Sequence, residues 1–173
     1  TQQAKGQGNS KSRHSPRRLI KHAESIFKGM ASEISCIKPH SNSIAHCCFM
    51  PDSDLLCTAS HDCSLCLWHI SEGWTITLQG HTNWVTCCAF KPGGSILASG
   101  SADETLRLWQ VDFALEAAAA GELEPDVPND VLKEYGGAIQ CCAFNASGRV
   151  LCSGSADGHL RLWSTASRAC VGV

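Results

Sequence analysis

The chain has 173 residues, 43% of them hydrophobic and 17% charged, with a formal net charge of -2. That balance supports a packed core, excludes global disorder, and argues against a nucleic-acid binder or a polyanion acting through the whole chain. No stretch approaches the ~20 apolar residues of a membrane span, and no signal-peptide core opens the sequence.

The first residue is Thr1, which points to a processed or partial product. Residues 1–18 (TQQAKGQGNSKSRHSPRR) are polar and basic with no apolar period, a composition that predicts disorder. Ser15-Pro16 reads as a helix N-cap followed by proline at the first helical position. Leu19, Ile20, Ala23, Ile26, Phe27 and Met30 then fall on one side of a helical wheel, with Arg17, Arg18, Lys21, Glu24 and Lys28 on the other. A short basic amphipathic helix is expected, inside a tail spanning residues 1–32. Its functional readings are partner docking, calmodulin-like capture or an anionic membrane surface. The favoured reading is plainer: the helix lies on the flank of the folded domain or continues a preceding one, because short helices draw their stability from packing. Phe27 also stands one 41-residue step before Trp68, so a degenerate repeat is a rival.

Three stretches then align without gaps. The first, PHSNSIAHCCFMPDSDLLCTASHDCSLCLW, ends at Trp68. The second, GHTNWVTCCAFKPGGSILASGSADETLRLW, ends at Trp109, 41 residues on. The third, EYGGAIQCCAFNASGRVLCSGSADGHLRLW, ends at Trp163, 54 residues further. Repetition at a fixed period decides a fold before any single motif does. In the second copy, Trp84 to Phe90, Ile96 to Ser101 and Leu106 to Val111 read as strands separated by Gly, Pro and Asp turns. Trp74 to Gln79, ahead of Gly80-His81, reads as a fourth. The extra length before the third copy is an acidic insertion, taken as residues 112–130, between the third and fourth strands of the second unit. Phe113 to Ala120 can form a helical turn or two, which Pro125 and Pro128 end. A solvated spacer is the default for it, and a partner-docking loop the sharper option. The last residues, Ala169 to Val173, look like an outer strand just begun.

Four short strands per ~40 residues is the rhythm of a propeller blade. Gly80-His81, Ser101, Asp103 and Trp109 stand in the register of WD40 repeats, and the chain resembles that family from about Glu33 to Val173. His40, Ser60, Asp62 and Trp68 match in the first copy, with Pro39 for the usual Gly; Ser155, Asp157 and Trp163 match in the third, with Tyr135 where His is expected. The terminal Trp-Asp dipeptide is absent from all three, which read Trp68-His69, Trp109-Gln110 and Trp163-Ser164. The resemblance implies an all-β fold: a β-propeller of four-stranded blades over about 33–70, 74–111 and 131–173. Because propellers use ~4 to 8 blades, three imply an incomplete ring and a fragment of a longer protein.

His81, Ser101 and Asp103 are also the ingredients of a hydrolase triad. The His-to-Asp offset is 22 residues in both complete copies, and Tyr135 to Asp157 repeats it. Repetition at a fixed offset fits a building rule, and no G-x-S-x-G elbow accompanies it. By resemblance His40, Ser60, Asp62 and Trp68 form one structural hydrogen-bond network, and His81, Ser101, Asp103 and Trp109 another. Ser155, Asp157 and Trp163 form a weaker third. No catalytic residue, metal ligand or cofactor is expected.

The 12 cysteines follow the repeat as well: Cys47, Cys88 and Cys142 are equivalent, as are Cys87 and Cys141, and Cys57 and Cys152 with Ala98 between them. Placed mid-strand, they are expected to act as small buried hydrophobes. Cys63 and Cys66 spell CxxC, but residues three apart on a strand point to opposite faces, which argues against a shared metal. Unbridged thiols in this number point to a reducing compartment, the cytoplasm or nucleus.

The resemblance implies a non-enzymatic scaffold for proteins or peptides within a multiprotein complex, with no small-molecule substrate and no nucleic-acid or membrane partner. An adaptor or substrate receptor of an enzyme complex, such as a ubiquitin ligase, is the alternative. Trp84 is matched by Ser43 and Ala138, so its indole is not a general requirement of the repeat. In the family this position, like His61, Ala102 and Ala156 before the turn aspartates, lies near the narrow top face. Ser43, His61, Asn83, Trp84, Ala102, Ala138 and Ala156 are therefore the expected partner-binding residues. The competing reading packs Trp84 between blades.

Overall fold

A computed structural model describes residues 38–122, 125–133 and 136–173. The N-terminal helix expected over 19–30 and the Tyr135 substitution lie outside those residues. Three antiparallel four-stranded sheets follow one another along the chain. Blade 1 holds β1 (Ile44–Phe49), β2 (Leu55–Ser60), β3 (Leu65–His69) and β4 (Trp74–Leu78). Blade 2 holds β5 (Val85–Phe90), β6 (Ile96–Ser101), β7 (Thr105–Gln110) and β8 (Asn129–Lys133). Blade 3 holds β9 (Ile139–Phe144), β10 (Val150–Ser155), β11 (Leu160–Ser164) and β12 (Cys170–Gly172). These are consecutive propeller blades, with the inner strands β1, β5 and β9 packed in series.

The second strands show why the sequence reads as it does. β6 is ILASGS and buried at every position, because blade 1 covers one face and blade 3 the other. Such a strand cannot alternate apolar with charged residues; it carries small and apolar ones. Two core clusters fill the seams. Cys57, Leu65, Leu67, Ile76 and Leu78 of blade 1 meet Cys88, Phe90, Leu97 and Trp109 of blade 2. Cys87, Ala98, Leu106 and Leu108 of blade 2 meet Ile139, Leu151 and Trp163 of blade 3. The seams are tight: a methyl group at Gly100 would lie 2.5 Å from Ile139 Cγ2 and 2.7 Å from Cys87 Sγ.

Four expectations need correction. Trp74–Leu78 pairs with β3, so it closes blade 1 and does not belong to the sheet of the repeat it opens. The insertion stops short of residue 129, because Asn129–Lys133 pairs with β7 as the outer strand of blade 2. Nor is that insertion a solvated spacer. Val111–Ala120 forms a ten-residue helix, α1, which buries Val111, Ala114 and Ala117 and packs on β4 and β6; Gly121 ends it in the left-handed conformation. Finally, not every repeated cysteine is buried: Cys47 and Cys141 are exposed. They lie on the faces of blades 1 and 3 turned away from blade 2, whereas Cys88 and Cys87, at the equivalent places in blade 2, have neighbours on both sides.

The hairpins between second and third strands share one device. Cys63, Glu104 and Gly158, equivalent in the repeat, all have positive φ, of 71°, 67° and 83°. Only the third uses glycine, so the first two hold a side chain where L residues are strained. Cys63 therefore sits on a turn and Cys66 on a strand, and the two sulfurs of the CxxC do not share a regular strand.

Candidate functional site

Each of the first two blades carries a buried line of polar atoms. In blade 2, His81 precedes β5 and its Nδ1 donates to Asp103 Oδ2 at 2.8 Å. Its Nε2 accepts from Ser99 Oγ at 2.8 Å, and Ser99 Oγ accepts from Trp109 Nε1 at 2.9 Å. The direction follows from chemistry: an indole nitrogen only donates and a carboxylate only accepts, so neutral His81 must carry its proton on Nδ1. Blade 1 repeats the line with Thr58 for Ser99. His40 Nδ1 lies 3.0 Å from Asp62 Oδ2, His40 Nε2 is 2.8 Å from Thr58 Oγ1, and Trp68 Nε1 is 3.3 Å from the same hydroxyl.

The hydroxyl that joins histidine to tryptophan is thus two residues earlier than the sequence reading placed it. Ser60 and Ser101 do other work. Ser101 Oγ donates to the Asn83 carbonyl at 3.1 Å and accepts from Asp103 N at 3.0 Å; Ser60 does the same with the Ser43 carbonyl and Asp62 N. They fasten the aspartate turn to the loop before the inner strand. Thr58, Ser99 and Ser153 each stand ten residues before their tryptophan, a recurring hydroxyl that the aligned repeats display. In blade 3, Ser153 Oγ accepts from Trp163 Nε1 at 2.9 Å, and Ser155 Oγ donates to the Gly137 carbonyl at 3.1 Å. Asp157 there turns to Arg161 Nη2 at 2.8 Å, and the guanidinium, with the His159 N–H, holds its carboxyl far below the usual range.

Ser99, His81 and Asp103 have the connectivity of a hydrolase triad. Their surroundings fit a strut instead. Ser99 is 0% exposed, and its hydroxyl is engaged by both His81 Nε2 and Trp109 Nε1. Nothing electrophilic can reach Ser99 without opening the seam. Burial opposes ionisation of Asp103, but hydrogen bonds from His81, Thr105 and the Thr82 N–H outweigh it and hold the carboxyl well below its ordinary value. Burial likewise opposes Asp62, where Ser64 and the Ser41 N–H prevail and bring it down to about 2.

At the end of the blades where these turns lie, the seven expected partner-binding residues fall into one row. His61 N donates to the Ser43 carbonyl at 2.9 Å, Ala102 N to the Trp84 carbonyl at 2.8 Å, and Ala156 N to the Ala138 carbonyl at 2.8 Å. Asn83 Oδ1 accepts from Trp84 N at 2.8 Å, fixing the backbone that presents the indole. Trp84 remains 52% exposed and stacks on His61 of blade 1, with ring centroids 4.6 Å apart and planes at 16°. The two rings form a ledge across the seam of blades 1 and 2. The small residues Ser43, Ala102, Ala138 and Ala156 leave the surface beside it low.

Among the described residues no group of three or more His, Cys, Asp or Glu side chains is placed to hold a metal ion. No helix among them is long and apolar enough to cross a membrane. Comparison with known proteins adds one finding. The family model described as "WD domain, G-beta repeat" matches residues 31–69, 74–110 and 127–164. No curated protein matches the chain.

Proposed function

The chain belongs to the WD40 repeat family, matched over more than half its length, and from that premise we propose that the His61–Trp84 end of its blades is a peptide-binding face. WD40 domains in general are non-catalytic scaffolds that bind other proteins. One observation carries the finer assignment: a tryptophan half open to solvent, stacked on a histidine of the preceding blade. A large apolar ring in the open costs solvation unless something covers it, and Trp is prominent among residues that dominate binding energy. Its pose is set in advance by the Asn83 turn and the His61 stack, so little ordering entropy is lost on binding. The buried His–Asp lines serve this face indirectly, by making rigid the turns that carry His61 and Ala102. The cysteines packed as apolar groups, Cys57 at 0% and Cys88 at 1% exposure, support a reducing setting, the cytoplasm or nucleus.

The test is a peptide library selected on the whole chain, followed by titration of the recovered peptides. Trp84→Ala is expected to weaken binding by about 2 kcal/mol, roughly 30-fold, with a melting temperature close to that of the parent. A large fall in melting temperature with unchanged affinity would assign Trp84 to the seam and remove it from the binding face.

A further inference from the structure

We propose that Cys48 and Cys88 are a peroxide-responsive thiol pair, whose disulfide staples the inner strands of blades 1 and 2. The two sulfurs lie 3.4 Å apart across the seam, Cys48 on β1 and Cys88 on β5. A disulfide needs ~2.05 Å, so the two sulfurs must close the remaining gap to bond. Accessibility divides the roles. Cys48 is half-buried and within reach of solvent, while Cys88 is 1% exposed. His46, an exposed residue two before Cys48, places Nδ1 3.5 Å from Cys88 Sγ. Hydrogen bonds from the Cys57 and Cys88 thiols hold the Cys48 thiol well below its ordinary value, against the opposing effect of burial, and His46 adds to the lowering. The same contacts and burial push Cys88 up. Cys48 is therefore the attacking thiolate and Cys88 the resolving thiol.

The oxidant is hydrogen peroxide. Cys48 thiolate attacks one peroxide oxygen, the O–O bond breaks, and the departing hydroxide takes a proton to become water, leaving a sulfenic acid. Cys88 sulfur then attacks Cys48 sulfur. The S–S bond forms, the S–O bond breaks, and the Cys88 proton passes by way of His46 to the leaving hydroxide, giving a second water. Two thiols are oxidised by two electrons and one peroxide is reduced to two waters.

Neighbouring thiols supply internal controls. Cys57 stands directly across from Cys48 in the β1–β2 register and also hydrogen-bonds its thiol, but it is wholly buried, and the imidazole of His46 lies against Cys88. At the other seam Cys142 has Cys87 for a partner. There Cys87 is 3% exposed and occupies the place His46 holds in blade 1, while Ala89 stands where Cys48 does. That seam combines two thiols with no imidazole at the His46 place, and its half-buried Cys142 thiol is pushed up, not down.

The experiment treats the reduced full chain with equimolar hydrogen peroxide, blocks residual thiols with a maleimide, and maps linked peptides by mass spectrometry. The expected product joins Cys48 to Cys88, leaves Cys87 and Cys142 alkylated, and melts several degrees above the reduced chain. Cys48→Ala, the residue found at Ala89 and Ala143, should abolish both the link and the rise in melting temperature. His46→Gln should slow the link about threefold or more without abolishing it. A Cys48–Cys57 link, scrambled links among the exposed Cys47, Cys141 and Cys170, or Cys48 recovered only as sulfinic acid would each overturn the proposal.

Discussion

Replacing Ser99 by alanine isolates the part of the buried line that sequence reasoning misplaced. Ser99 Oγ makes two bonds, to His81 Nε2 at 2.8 Å and from Trp109 Nε1 at 2.9 Å, and nothing else fills its place. The mutant leaves an indole N–H and an imidazole nitrogen unpaired in a site where Ser99 is 0% and Trp109 1% exposed. Each buried orphan costs ~1–3 kcal/mol. Because His81 keeps Asp103 on its other nitrogen, the low end applies to it, and the sum is about 2–4 kcal/mol. At ~3 °C per kcal/mol for a chain of this size, melting falls by roughly 6–12 °C. Urea denaturation followed by tryptophan fluorescence measures it. Ser99→Thr, the residue blade 1 uses at Thr58, should recover most of the loss, and Ser101→Ala should cost less than Ser99→Ala. If Ser99→Ala lies within ~0.5 kcal/mol of the parent, the buried line is not a stabilising unit and the strut reading of it fails.

Acid should expose the aspartates. Asp62 has its folded value brought down to about 2 from 3.8, so its contribution is complete above pH 3.8 and disappears as pH falls toward 2; Asp103 follows at lower pH still. Melting temperature against pH should therefore decline across that window, and Asp62→Asn should flatten part of the decline. Gly100→Ala should destabilise by ~1–3 kcal/mol through overpacking, since the new methyl meets Ile139 and Cys87, both buried. Gly154→Ala is the comparison: its one close neighbour is Cys141 Sγ at 2.8 Å on an exposed side chain that can turn aside, so a smaller loss is expected by the same denaturation assay.

The blades were legible because their signal repeats: tryptophan and aspartate recur at constant offsets in three copies and histidine in two, which excludes accident. What was not legible depends on register. Each repeat holds two hydroxyls two positions apart, Ser99 and Ser101 in the second, and alternation puts both on one face of the strand. The β6–β7 pairing sets Trp109 opposite Leu97, so its indole reaches the diagonal neighbour Ser99 and not Ser101. No property of either serine announces that choice. The docking of α1 was hidden for another reason. Its run of alanines marks a helix, but small residues carry little sign of a buried face, and only Val111, Ala114 and Ala117 on the core reveal it. The exposed stack of His61 on Trp84 joins different repeats, and spacing within one repeat cannot show it.

The phase difference between repeat and sheet bears on how such a chain comes apart. The segment 74–110 gives its first strand to blade 1 and its other three to blade 2. In a simple stacked array, stability divides into a term for each unit and a term for each contact between neighbours. Here that division follows the sheets, each a contiguous stretch of chain, and not the matched repeats. Loss of blade 1 strands the edge of the 74–110 segment, and loss of that segment strips blade 1 of its outer strand. The ladder hydrogen bonds stay within each blade, so cooperativity between neighbours rests on the side chains packed in the two seams.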